Sequence, residues 1–162
     1  MVKIRRYNPE NFKDKWKQRE RPDYKYIGFW SVHDDEDKYI APQLLVDEEW
    51  EKEHKDKIIE YLKNGNICAR YMGFSRCRFC GNINGSSDYT DGKWIWPTGL
   101  AHYVEEHNIR LPKEFVDYMK KNNFNIDSAD EATIFGSYNF WNKWCEKEKE
   151  KWKGRLSLPR RG

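Results

Sequence analysis

Four residues of this 162-residue chain carry ligand chemistry at a usable spacing: Cys77 and Cys80, then His102 and His107. The pattern is C-x2-C-x21-H-x4-H. Thiolate sulfur and imidazole nitrogen are what zinc takes in a tetrahedron, and a chain supplies four of them most simply as two close pairs joined by a turn and a helix. Gly81, directly after the second cysteine, frees the backbone where a tight turn must end. The competing reading is two buried thiols and two unconnected helical histidines. Cys68, Cys145, His33 and His54 are read as packing or surface residues, Cys145 because it follows Trp144 in an apolar helical stripe.

Four protein ligands leave no position for water, whereas a catalytic zinc usually keeps one open. The expected cofactor is therefore one structural zinc ion, with no catalytic residue assigned. A second arrangement has three ligands plus water, with Glu105 or Glu106 as general base. The spacing disfavours it: a H-E-x-x-H protease needs glutamate directly after the first histidine, and Tyr103 stands there. A nucleobase deaminase carries its H-x-E before its P-C-x-x-C, the reverse of the order here.

The ligands need elements to hold them. Ser87 to Thr90 and Lys93 to Trp96 flank Asp91-Gly92, a strong hairpin signal. A helix is expected next, opening at Pro97 or Thr98, carrying Leu100, Ala101, Tyr103 and Val104, and ending at Asn108. Residues five apart on a helix differ by about 140° around the axis, so His102 and His107 share a ligand only if the last turn loosens. The expected fold is α+β, a small single domain around a zinc knuckle, a β-hairpin and a helix. Such a unit is treble-clef-like, or an enlarged zinc finger, with further helices packed on it.

Upstream, Tyr24 to Trp30 reads as a strand, and Asp47 as the N-cap of a helix running to Asn64 with Gly65 as a left-handed C-cap. Trp50, His54, Ile58, Tyr61 and Leu62 recur on that helix at core spacing. Ile67 to Phe74 reads as a strand leading into the knuckle. Downstream, Lys113 to Lys121 reads as a short helix, Ala129 to Phe135 as another, and Ser137 as the cap of a final helix carrying Phe140, Trp141, Trp144, Cys145 and Trp152. The acidic run at 33–37 lacks the spacing of a calcium loop and reads as a solvated turn.

Composition bounds the rest. Charged residues make up 35% and the hydrophobic set 38%, close to disorder were 16% of the chain not aromatic. Each aromatic buries on the order of 150–250 Å², enough for a core poor in aliphatics. The net charge of +3 is unevenly spread: residues 1–21 carry +5, residues 146–162 carry +4, and the middle carries −6. The expected organisation is a basic N-terminal arm over 1–21, one zinc-stabilised domain over 22–153 and a flexible basic tail over 154–162. No apolar run approaches the roughly 20 residues of a membrane span, and the N-terminus lacks the apolar centre of a secretory signal. A soluble, cytoplasmic protein is the expectation, and disulfides are disfavoured there.

The blocks C-R-F-C-G at 77–81, T-D-G-K-W-I-W-P-T-G-L-A-H-Y-V at 90–104 and R-L-P-K-E-F at 110–115 resemble a family of uncharacterised bacterial and phage-type proteins. The resemblance covers about residues 27–120 and implies no activity. The D-G-x-W-x-W, L-A-x-Y-V and L-P-x-x-F succession is more faintly similar to immunity proteins of bacterial toxin systems, small binders that block a partner enzyme. That resemblance implies a protein partner met by Trp94, Trp96 and Tyr103, since large aromatics anchor interfaces, and Arg76 and Arg78 are further candidate partner-binding residues. Core packing is the other reading for the two tryptophans, which alternation puts on one face with Ile95 on the other.

The expected function is a non-enzymatic, zinc-stabilised binding module for a protein, of inhibitor or immunity-like type. A nucleic-acid binder is the alternative, using the basic ends, Arg70, Arg76 and Arg78 on phosphates and Phe79 on bases. A metal-dependent hydrolase through Glu105 or Glu106 is the third reading.

Overall fold

The computed structural model describes residues 20–31 and 39–156. Residues 1–19 of the N-terminal arm, the acidic run at 33–37 and the end of the basic tail lie outside the described residues.

The tryptophan hairpin organises the fold. Strands β3 (Ser87–Thr90) and β4 (Trp94–Pro97) pair antiparallel, with Tyr89 opposite Trp96 and Thr90 opposite Ile95. The turn between them is closed by Asp91, whose carboxylate accepts the main-chain N–H groups of Lys93 and Trp94 at 2.9 and 2.7 Å. Gly92 adopts the positive φ, 96°, that this turn requires. Strand β2 (Asn66–Arg70) flanks β3 antiparallel, while β1 (Glu20–Tyr26) lies parallel to β4. β5 (Phe135–Ser137) is parallel to β1, giving one mixed sheet in the order β2-β3-β4-β1-β5.

Alternation along β4 divides the interior. Trp94 and Trp96 join the main core, while Ile95 turns to a smaller cluster with Tyr26 and Cys68. Helices α1 (Lys55–Lys63), α2 (Leu100–His107), α3 (Lys113–Lys121) and α4 (Asn139–Leu156) supply most of the rest of the main core, with Ile27, Ile40, Leu45 and Ile109 from the connections. Ile58, Leu62, Leu100, Val104, Phe115, Met119 and Trp141 are its fully enclosed side chains. The Trp96 indole N–H donates to the Leu62 carbonyl at 3.0 Å, and that of Trp141 to the Phe29 carbonyl at 2.8 Å, so two large rings enter the core without losing a hydrogen bond.

The α+β class, the 87–97 hairpin, the helix over 113–121 and the Ser137 cap stand as expected, the Ser137 hydroxyl accepting the Asn139 N–H at 3.2 Å. Five boundaries differ. The first strand begins at Glu20 and ends at Tyr26, inside the expected arm at its start. The second ends at Arg70, because Gly73 takes φ 100° and breaks the extended run. The helix after Asp47 begins only at Lys55: Asp47 folds its carboxylate onto the Glu49 N–H, and Glu51 adopts φ 49°. Gly65 does not take a left-handed cap. A Cβ there would lie 2.5 Å from that of Tyr89, so the glycine makes room for the sheet. Residues 129–134 form no helix: the Ile134 N–H donates to the Cys68 carbonyl at 3.0 Å and the chain then joins the sheet as β5.

Candidate metal centre

The loop between β2 and β3 doubles back as a narrow ladder. Ser75 N–H donates to Gly85 O at 3.0 Å, Asn84 N–H to Ser75 O at 2.8 Å, and Cys77 N–H to Asn82 O at 2.9 Å. At its tip Gly81 N–H returns to the Cys77 carbonyl and Gly81 takes φ 72°, the freedom that its position after the second cysteine suggests. Phe79 N–H points at the Cys77 sulfur, 3.4 Å away. This turn thus gathers both thiols before any other residue contributes.

Helix α2 brings the imidazoles. Cys80 Sγ lies 3.3 Å from His102 Nε2, the two histidine rings are 5.0 Å apart, and one ligand atom from each of Cys77, Cys80, His102 and His107 lies within 4.8 Å of the others. These four residues lie close enough to bind a metal ion. The helix does not loosen before His107, as the spacing had required. It stays α-helical to that residue and stops at Asn108, which takes φ 54° and donates its N–H to the Tyr103 carbonyl. The length of two imidazole arms closes the angle between the positions.

His107 supplies the best test of fit. Its Nε2 is buried and has no hydrogen-bond partner among the described residues, a costly state for a polar atom unless something else satisfies it. Its ring stacks on Phe79 at 4.5 Å, which fixes its plane. Burial, then the neighbouring His102, push its pKa down and favour the neutral imidazole that a metal requires. Cys77 is buried, while Cys80 is exposed at the turn.

Tyr103, between the histidines, ties turn to helix. Its hydroxyl oxygen accepts the Arg78 N–H at 2.9 Å, and burial pushes its pKa up to about 12. Gln43 holds the same turn from the other side, its amide donating to the Arg78 carbonyl at 3.0 Å.

The remaining sequence-designated residues divide clearly. Trp94, Trp96 and Tyr103 are 1%, 0% and 6% exposed, so the core holds all three and none is free to anchor a partner in this fold. Arg76 and Arg78 are exposed and form no ion pair among the described residues. Arg70 is engaged by Glu131 at 2.6 and 3.0 Å, and the face of Phe79 is occupied by His107. Glu105 pairs with Lys63 at 3.0 Å. Cys68 and Cys145 are core thiols that burial pushes up to about 12 and 11, while His54 stacks on Phe124 beside Glu51.

Sequence reasoning missed two features. The loop carrying the cysteines exposes Tyr71, Met72, Phe74 and Ile83, large apolar residues on one ladder. Gly73 inside the run Tyr71 to Phe74 was the available signal that it is not a strand. Asp88, a buried carboxylate on β3, gave no signal beyond an acid in a strand.

No family model matches the chain, and neither a curated protein nor a solved structure does. Among the described residues, no helix is long and apolar enough to cross a membrane.

Proposed function

We propose that this chain is a non-enzymatic, cytoplasmic binding module, stabilised by one zinc ion on Cys77, Cys80, His102 and His107, that engages a protein partner through the loop the metal braces. Zinc suits two thiolates and two imidazoles better than a hard cation, which prefers oxygen. A zinc tetrahedron has ligand–ligand edges of about 3.3–3.8 Å, from bonds of about 2.0–2.3 Å. The 3.3 Å between Cys80 and His102 already matches, and the remaining atoms need only small side-chain movements. On this reading the ladder over 75–85 is a zinc knuckle, and with the hairpin and α2 it makes a treble-clef-like unit.

The observation that carries the partner is the exposure of Tyr71, Met72, Phe74 and Ile83 beside the unpaired Arg76 and Arg78. Monomers seldom leave several large apolar side chains together in water, and apolar anchors ringed by arginine are the composition of protein interfaces. The complementary partner surface is apolar with an acidic rim, as an inhibitor or immunity-like protein would require of its target. The engagement of Arg70 and Phe79 within the fold counts against a nucleic-acid track over this surface.

The test is a two-hybrid screen against products of neighbouring genes, repeated with Met72→Asp and Phe74→Asp and with the remote control Lys57→Glu. A partner lost in both loop variants and kept in the control supports the reading. Partners retained by both loop variants would overturn it.

A further inference from the structure

A cleft of about 420 Å³ lies outside the metal cluster. That is within the range of small-molecule sites, about 300–1,000 Å³. It opens where β1 and β4, one of two parallel pairs, reach their carboxyl ends: Gly28 follows β1, and Pro97 leads from β4 to the start of α2. Ligands of sheets with parallel strands collect at such ends, and the N-terminus of the following helix favours an anion.

Three chemistries meet there. Phe29 and Tyr39, both half-buried, furnish aromatic walls. Asp88, 2% exposed, brings a carboxylate to the lining, and Tyr71 supplies the hydrogen bond to one of its oxygens at 2.7 Å. Arg76 and Arg78, both exposed and without acidic partners among the described residues, line the same cleft, and the Arg76 guanidinium also donates to the Gly81 carbonyl at 3.1 Å. A carboxylate can only accept, so its counterpart on a ligand is a pair of N–H donors. A ring with such an edge and an anionic group for the arginines is a guanine nucleotide. Adenine is a poorer match, because its corresponding edge places a ring acceptor toward the carboxylate.

We propose that this cleft binds a guanine nucleotide unit, with the base against Phe29 and Tyr39, its N1–H and 2-amino groups donating to Asp88, and its phosphate at Arg76, Arg78 and the start of α2. The unit is either a free nucleotide or the end of a strand. The inference does not use the zinc, and although it shares Tyr71, Arg76 and Arg78 with the binding-module reading, its test reads nucleotide binding, so the two fail separately.

The experiment is a titration of the full, metal-loaded chain with GMP, AMP, guanosine and a four-nucleotide RNA ending in G, followed by NMR shifts and calorimetry. GMP is expected to saturate with a Kd below about 1 mM, and AMP to bind at least about tenfold more weakly. Asp88→Asn, which retains an acceptor for Tyr71, is expected to erase the preference for GMP. Arg76→Gln with Arg78→Gln is expected to weaken GMP by about tenfold while leaving guanosine unchanged. A tetranucleotide binding more tightly than GMP identifies a strand end as the source, and equal or weaker binding identifies the free nucleotide. The proposal is overturned if GMP gives no saturable shift, if GMP and AMP bind equally, or if Asp88→Asn binds GMP as the wild type does.

Discussion

The hydroxyl oxygen of Tyr103 on α2 accepts the main-chain N–H of Arg78 at 2.9 Å, joining the helix that carries both histidines to the turn that carries both cysteines. The two ligand pairs are 21 residues apart in sequence, and this bond sets their mutual distance without the metal. A preorganised ligand set loses less freedom when the ion binds. Tyr103→Phe removes the acceptor and leaves the ring in place. The expected loss is about 0.5–1.5 kcal/mol, a Tm drop of about 1–6 °C, with metal stoichiometry unchanged. Calorimetry beside elemental analysis checks both halves.

Core and loop aromatic and apolar residues separate by the same measurement. Trp96 is wholly enclosed and hydrogen-bonded to Leu62, so Trp96→Ala is expected to cost about 3–5 kcal/mol. Met72 is fully exposed, and Met72→Asp is expected to change stability by less than about 0.5 kcal/mol. A denaturant titration in which Met72→Asp unfolds early would assign that side chain to the fold and remove it from the proposed interface.

Acid removes a stabilising contribution at Glu148. Its side chain is 4% exposed and accepts from Arg110 and, at 2.9 Å, from Lys151. Burial alone would push its carboxyl up, but the two cations hold it below the ordinary value of 4.5. The unfolded chain therefore takes up this proton at a higher pH than the folded one. The stabilisation is complete above about pH 4.5 and is lost as pH falls through the lower, folded value. Glu148→Gln is expected to cost about 1.5–3 kcal/mol at neutral pH and to flatten stability against pH below 4.5. An unchanged acid limb in the variant would assign the acid response to other carboxylates.

Two glycines serve different purposes, and alanine distinguishes them. At Gly65 a new Cβ would meet Tyr89 at 2.5 Å and Trp96 at 2.9 Å, so Gly65→Ala is expected to cost about 1–3 kcal/mol through overpacking. At Gly81 nothing lies within 4 Å, but φ is +72°, and the expected cost is about 1–2 kcal/mol from the backbone alone. Gly81→Asn should recover part of that loss, and Gly65→Asn should not. Thermal melts of the four variants check the contrast.

Local signals in the sequence carried well where the physics is local. Asp91-Gly92 announced its hairpin, Asn108 its helix end, and the paired spacing of Cys77, Cys80, His102 and His107 its ligand cluster. What failed depends on distant partners. Residues 129–134 look helical in isolation, but their end, Ile134, is bonded to Cys68, more than sixty positions away, and Gly65 reads as a cap until Tyr89 is seen above it. Trp94 and Trp96 look equally suited to an interface and a core, and only the packing of Leu62 and Phe115 against the hairpin decides for the core. The Asp88 cleft was illegible because it is made by chain segments that no local pattern connects.

The central claim is that one metal ion closes the Cys77, Cys80, His102 and His107 cluster. Elemental analysis of wild type, Cys77→Ser and His107→Ala, purified under reducing conditions, tests it directly when paired with thermal unfolding before and after chelation. The account predicts one zinc per chain in the wild type, its loss in both variants, and a large fall in Tm when the metal is removed. Wild-type protein that carries no zinc when zinc is supplied, or that melts unchanged after chelation, would contradict it.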